Sequence, residues 1–119
     1  MFTGLKYINL NHLNKMRDST LNSILKHCEN LEAVDLYWNI QLTDAAFAGL
    51  GKLPADQLKK MKVLNLSGVQ KITDATLTGY VLKMPNLTLL NLTRTPLLTN
   101  TGIRKTMRRL PELRYFNLY

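Results

Sequence analysis

A chain of 119 residues, 45% hydrophobic and 20% charged, fits one globular domain. It has no apolar run near the ~20 residues needed to span a bilayer, and its single cysteine, Cys28, excludes an internal disulfide and suits a reducing compartment. Sixteen basic against eight acidic residues give a net charge of +8, which favours acidic or anionic partners and carries no information about fold.

The first ten residues, MFTGLKYINL, contain neither a basic region before an apolar block nor an Arg- and Ser-rich amphipathic leader, so no secretion or import signal is expected. Residues 5–10, LKYINL, read instead as the first copy of a strand phrase, L-x-x-L-x-L, with Ile, Val, Met or Phe allowed for Leu. MRDSTL (16–21) then opens a helix near 18–28, with Leu21, Ile24, Leu25 and Cys28 at i, i+3, i+4 and i+7. That spacing puts Cys28 in a helix–helix seam, where thiols are usually inert. The second strand phrase is LEAVDL (31–36), and LTDAAF (42–47) opens a helix near 44–53.

LPADQLKKM (53–61) resembles the opening of an F-box. It falls, however, at a four-residue lengthening of the repeat and runs straight into the third strand phrase, MKVLNL (61–66). No room remains for the helical domain an F-box requires, and the segment is read as an insertion on the repeat path. ITDATL (72–77) opens a helix near 74–84, with Leu77, Tyr80, Val81 and Met84 in helical spacing. LTLLNL (87–92) is the fourth strand phrase, and LLTNTGI (97–103) leads into a helix near 100–110. On that helix Ile103, Met107 and Leu110 form the apolar stripe, interrupted by Thr106. LRYFNL (113–118) closes the series.

The five phrases start at residues 5, 31, 61, 87 and 113, giving offsets of 26, 30, 26 and 26. Strands are expected to begin near residues 6, 32, 62, 88 and 114. Thr or Asp ahead of each helix is an N-cap signal, and Asp44 and Asp74 suit the positive end of the helix dipole. Pro85 and Pro111 stop the helix before the next strand. Each unit is one strand, a loop and one helix, too small to bury its own apolar face. Stacking the units gives a parallel sheet on one face, helices on the other, and a continuous Leu core between them.

The 26-residue period, the L-x-x-L-x-L phrase and Ile/Leu-Thr-Asp-x-x-Leu together resemble the cysteine-containing subclass of leucine-rich repeats. These are the repeats of F-box/LRR proteins, related in shape to the ribonuclease-inhibitor horseshoe. The resemblance covers essentially the whole chain, as one domain over 1–119 with about four and a half repeats. It departs at the cysteines: Leu13, Asn39, Val69 and Thr95 stand where the family has Cys after the strand, and only Cys28 closes a helix. The resemblance implies an α/β solenoid with parallel strands on a concave face and α-helices on a convex one. Neither end carries a polar cap. The expectation is a segment of a longer horseshoe, or ends covered by partners.

Alternate strand residues would line the concave face. Asn9, Asp35, Asn65, Asn91 and Asn117 form one column, expected to stack ~4.8 Å apart and either bond laterally to one another or meet a partner. Tyr7, Ala33, Val63, Leu89 and Tyr115 form a second column, and Asn11, Tyr37, Ser67, Thr93 and Tyr119 a third. Trp38 leaves the second strand, either packed within the loop layer or offered to a partner, and Arg94 takes the matching place two units on. Tyr, Trp and Arg are the types enriched at binding hot spots. On the last helix Arg104, Lys105, Arg108 and Arg109 make a basic convex patch, either simply solvated or a dock for an acidic partner.

Catalysis finds no support: His12 and His27 stand alone, no Cys/His cluster has metal-ligand spacing, and no Gly-rich phosphate loop is present. No cofactor is expected. Asn65, Asn86 and Asn91 head glycosylation sequons, two of them by-products of the repeat, and modification is not expected. The resemblance implies a protein–protein interaction module, the substrate-recruiting region of a cullin-type ubiquitin ligase subunit whose F-box lies outside this chain. The alternative is a structural scaffold subunit of a large axonemal or mitochondrial assembly. RNA contact rests on charge alone, and neither DNA nor a membrane span is expected. The expected location is intracellular, the cytoplasm first, then a mitochondrion or a cilium.

Overall fold

Five three-residue strands pair in chain order into one parallel sheet, each joined to the next by a helical crossover. The computed structural model describes residues 4–118. The strands are β1 (Tyr7–Asn9), β2 (Ala33–Asp35), β3 (Val63–Asn65), β4 (Leu89–Asn91) and β5 (Tyr115–Asn117). Tyr7 pairs with Ala33, Ala33 with Val63, Val63 with Leu89 and Leu89 with Tyr115. These steps reproduce the sequence offsets, one residue later than the expected starts.

The crossovers carry α1 (Asp18–Leu25), α2 (Asp44–Leu50), α3 (Ala55–Leu58), α4 (Asp74–Gly79), a 3₁₀ turn (Val81–Lys83) and α5 (Asn100–Arg109). All four main helices end earlier than their apolar spacing predicts. Cys28 is therefore not within a helix seam: it lies beyond α1, buried, its thiol donating to the Ile24 carbonyl at 3.2 Å. Burial pushes that thiol pKa up, which keeps it protonated and unreactive. The expected helix over 74–84 breaks at Gly79, a weak helix former, and Tyr80 leaves helical geometry at φ −135°. The Tyr80 ring packs 5.5 Å from that of Phe47, and burial drives its phenol pKa far above the ordinary value. Thus Leu77, Tyr80, Val81 and Met84 are all buried as the spacing implies, but through a helix followed by a tight turn. The insertion at 53–61 forms α3, which the sequence reading did not foresee.

The core runs between sheet and helices. Central strand residues Val34, Leu64 and Leu90, with Leu36, Leu66 and Leu92 after them, are buried against Leu21, Phe47, Leu50, Leu77 and Met84. Each such side chain contributes roughly 1.5–3 kcal/mol by leaving water. Among the described residues no helix is long and apolar enough to cross a membrane.

On the helix side a carboxylate staples each unit to the next. Asp18, in the first turn of α1, accepts from the Thr43 N–H at 2.8 Å and the Thr43 hydroxyl at 2.5 Å. Asp44 does the same with Thr73 at 2.8 and 2.7 Å, and adds the Thr76 hydroxyl at 2.6 Å. Asp74 accepts from the Thr99 N–H at 3.0 Å and from its hydroxyl. Thr43, Thr73 and Thr99 are themselves the N-caps of α2, α4 and α5. The first unit departs from this rule: Arg17 stands at its N-cap and makes no side-chain capping bond. Burial works to raise the Asp44 pKa, but the side-chain bonds from Thr76 and Thr73, with their backbone bonds, outweigh it and hold that carboxyl below its ordinary value. Gly102 has no side chain to spare here, since a Cβ would run into the Asp74 carboxylate.

Candidate functional site

The sheet turns one face to the helices and leaves the other open. Alternation puts residues 7, 33, 63, 89 and 115 in one row on the open face, and 9, 35, 65, 91 and 117 in a second. In the first row Ala33, Val63 and Leu89 are half-buried, flanked by Tyr7 at 54% and Tyr115 at 68% exposure. Val63 and Leu89 are thus partly covered and do not form a bare apolar strip.

The second row corrects the expected ladder. Asn9, Asp35, Asn65 and Asn91 do not bond laterally. Each turns its Oδ1 onto the backbone N–H two residues ahead, at Asn11, Tyr37, Ser67 and Thr93, at 2.9–3.1 Å. These side chains satisfy donors where the chain turns out of the strand. The lateral contacts fall one step later: Asn11 Oδ1 accepts the Tyr37 N–H at 2.9 Å, and the Ser67 and Thr93 hydroxyls bond to each other. Tyr119, expected in that third column, lies outside the described residues. Buried Asn39 donates its amide to the Leu10 and Leu36 carbonyls at 2.7 and 2.9 Å.

The strand exits form a distinct edge. Residues 12, 38, 68 and 94 share one place in the unit, and all four have left-handed backbones: φ is 58° at His12, 64° at Trp38, 78° at Gly68 and 57° at Arg94. His12, Trp38 and Gly68 each send their N–H to a carbonyl of the next unit, at Tyr37, Ser67 and Thr93, all at 2.9 Å. The one glycine is there for Trp38: a Cβ on Gly68 would collide with the indole and come within 3.2 Å of the Trp38 Cα. Across that gap the Arg94 guanidinium carbon sits 5.8 Å from the indole centroid, a cation–π contact. Upstream, the Tyr37 ring lies 6.0 Å from the indole, and the His12 ring meets Tyr37 edge-on at 5.0 Å. Trp38 is therefore both packed and half-exposed. Sequence reasoning singled out Tyr37, Trp38 and Arg94 but missed His12 and Gly68, although the shared place after each strand was there to find them. Gly68→Ala should cost about 1–3 kcal/mol, from left-handed strain and overpacking. Trp38 is the only tryptophan, so a shift in intrinsic fluorescence would report its displacement; unchanged emission and stability would refute this account of the glycine.

At the strand entrances Glu32 bridges Lys6 and Lys62 at 3.8 and 3.7 Å, exposed pairs of small energetic weight. On α5, Arg104, Lys105, Arg108 and Arg109 are all exposed and make no ion pair among the described residues. The apolar stripe opposite them needs correction. Met107 is 51% exposed, while Thr106, expected to interrupt the stripe, is buried with its hydroxyl donating to the Gly102 carbonyl at 2.9 Å. Leu25, Gly51 and Val81 hold the place of Met107 in earlier units and are buried. Each of those units has a following helix against its own, and α5 has none among the described residues. No group of three or more His, Cys, Asp or Glu among the described residues is placed to hold a metal ion.

Scans of the sequence against protein-family models and against curated proteins return no match. What stands is an α/β protein with a five-stranded parallel sheet, an open face edged by aromatic residues, and a basic outer helix.

Proposed function

We propose that this chain is a leucine-rich-repeat solenoid acting as a non-catalytic protein–protein interaction module, most like the substrate-recruiting repeats of an F-box/LRR ubiquitin-ligase subunit. The supporting observation is the uniform strand register, which holds Tyr7 and Tyr115 in one row of the open face, with Tyr37, Trp38 and Arg94 along its strand-exit edge. Rigid aromatic side chains lose little conformational freedom on binding, and Arg forms several hydrogen bonds at once. The proposed location is an intracellular, reducing compartment. Affinity purification at native abundance tests the reading. A cullin and its adaptor in the eluate support it; a complex of fixed stoichiometry without them points to the scaffold role in a large assembly.

The open face and α5 make different predictions for whatever protein is recovered. Tyr37→Ala or Trp38→Ala should weaken it by more than ~1.5 kcal/mol at low and high salt alike. Arg104→Glu with Arg108→Glu should reduce association mainly at low salt, because exposed charges act at long range and are screened. A salt series decides between them. Binding abolished at every salt by the reversals and untouched by the truncations would move the interface to α5.

A further inference from the structure

We propose that the strand-exit edge recognises an extended acidic segment of a protein partner, with Arg94 reading a carboxylate while Tyr37 and Trp38 take an apolar residue three or four positions away. This deepens the interaction-module reading and rests on it. Arg94 is exposed, and its guanidinium has no hydrogen-bond or ion-pair partner among the described residues. The cation–π contact restrains it without using up its N–H fork, the geometry that matches a carboxylate with two parallel bonds. Among the described residues no carboxylate of its own chain forms an ion pair with it: the ion pairs there join Glu32 to Lys6 and Lys62, and Asp18, Asp44 and Asp74 are taken by threonines.

Left-handed backbone at a bulky residue is uncommon, yet Trp38 and Arg94 both adopt it, with the glycine placed between them. That arrangement brings an aromatic surface and a cation side by side from units two apart. Its dimensions set the motif. Tyr37 to Trp38 is 6.0 Å and Trp38 to Arg94 is 5.8 Å, so the row spans at most about 12 Å, which three to four residues of extended chain cover. Charge complementarity selects an acidic segment for a protein of net charge +8. A single-stranded nucleic acid is the weaker fit, because its bases need free ring faces and the indole already has Gly68 and Arg94 against it.

The test selects a random linear peptide library against the whole chain, then measures the selected peptides by fluorescence polarisation. The panel is the parent protein, Arg94→Asn, Arg94→Lys and Tyr115→Ala. Asn tolerates the left-handed backbone, so Arg94→Asn should keep the fold, which circular dichroism checks. The expected result is convergence on Asp or Glu three or four residues from an aromatic or aliphatic residue. Affinity should fall at least ~10-fold in Arg94→Asn and by less in Arg94→Lys, which keeps charge but not the fork. Peptides weakened by Tyr115→Ala but indifferent to Arg94→Asn would overturn this inference and leave the interaction-module reading standing. No convergence, or peptides indifferent to every substitution, would count against both. A polyuridine oligonucleotide bound more tightly than the peptides, and lost in Arg94→Asn, would overturn the acidic-segment assignment.

Discussion

Leu66→Ala is expected to lower the unfolding free energy by ~2–5 kcal/mol in chemical denaturation. Leu66 is wholly buried, following β3 in the middle of the sheet, with cores of neighbouring units on both sides. Truncation removes three carbons from a site that cannot collapse, because the sheet fixes its backbone through the Leu66 N–H to the Asn91 carbonyl at 2.9 Å. Asn65, one residue earlier, faces the open side and holds one bond, from its Oδ1 to the Ser67 N–H at 2.9 Å. Asn65→Ala should therefore cost only about 0.5–1.5 kcal/mol, the worth of a single hydrogen bond. Equal losses at both positions would mean that the alternation is misassigned.

Asp44→Ala is the second large effect, about 2–4 kcal/mol, because one carboxylate serves three donors. Removing it leaves the Thr73 N–H, the Thr73 hydroxyl and the hydroxyl of buried Thr76 without their acceptor. It also frees α4 from the unit before it. Asp44→Asn should lose less, since one acceptor oxygen remains. The effect carries a pH signature of definite sign. The folded state holds the Asp44 pKa below its ordinary 3.8, so the folded chain binds the proton less readily than the unfolded one. The stabilisation is then fully present above the ordinary value and is lost as pH falls through the lowered one. Urea melts across that acid range should show the gap between parent and Asp44→Ala narrowing as pH drops. A gap independent of pH would mean that the charge on Asp44 is not what holds the staple.

The basic patch on α5 and the aromatic strand exits were both legible in the sequence, but for different reasons. Arg104, Lys105, Arg108 and Arg109 follow from helical spacing alone, and all four are exposed. Tyr37, Trp38 and Arg94 were visible as residue types at a repeated place. What they touch was not: Trp38 and Arg94 are 56 residues and two units apart, and their contact depends on Gly68 in the unit between them. The polar column shows the same division. Its membership was read correctly from the alternation, whereas its bonding was not, because an Asn at a strand exit finds its own backbone N–H closer than the next strand's side chain.

By itself the sequence determined the strands, their parallel order and spacing, and the inward leucines. Those follow from a period and an alternation that each unit carries within its own residues, and every copy votes for the same register. Only the tertiary structure decided what joins one unit to the next. The Asp18–Thr43, Asp44–Thr73 and Asp74–Thr99 staples each reach 25–29 residues along the chain, and a capping signal reads identically whether or not a carboxylate from the preceding unit arrives. The phase of α5 was decided in the same way. Helical spacing put Met107 in the apolar stripe and made Thr106 its interruption, whereas the structure, in which α4 is the only α-helix packed on α5 among the described residues, leaves Met107 exposed and buries Thr106. A period fixes where a residue stands within its unit; the neighbour packed against that unit fixes which of its faces is covered.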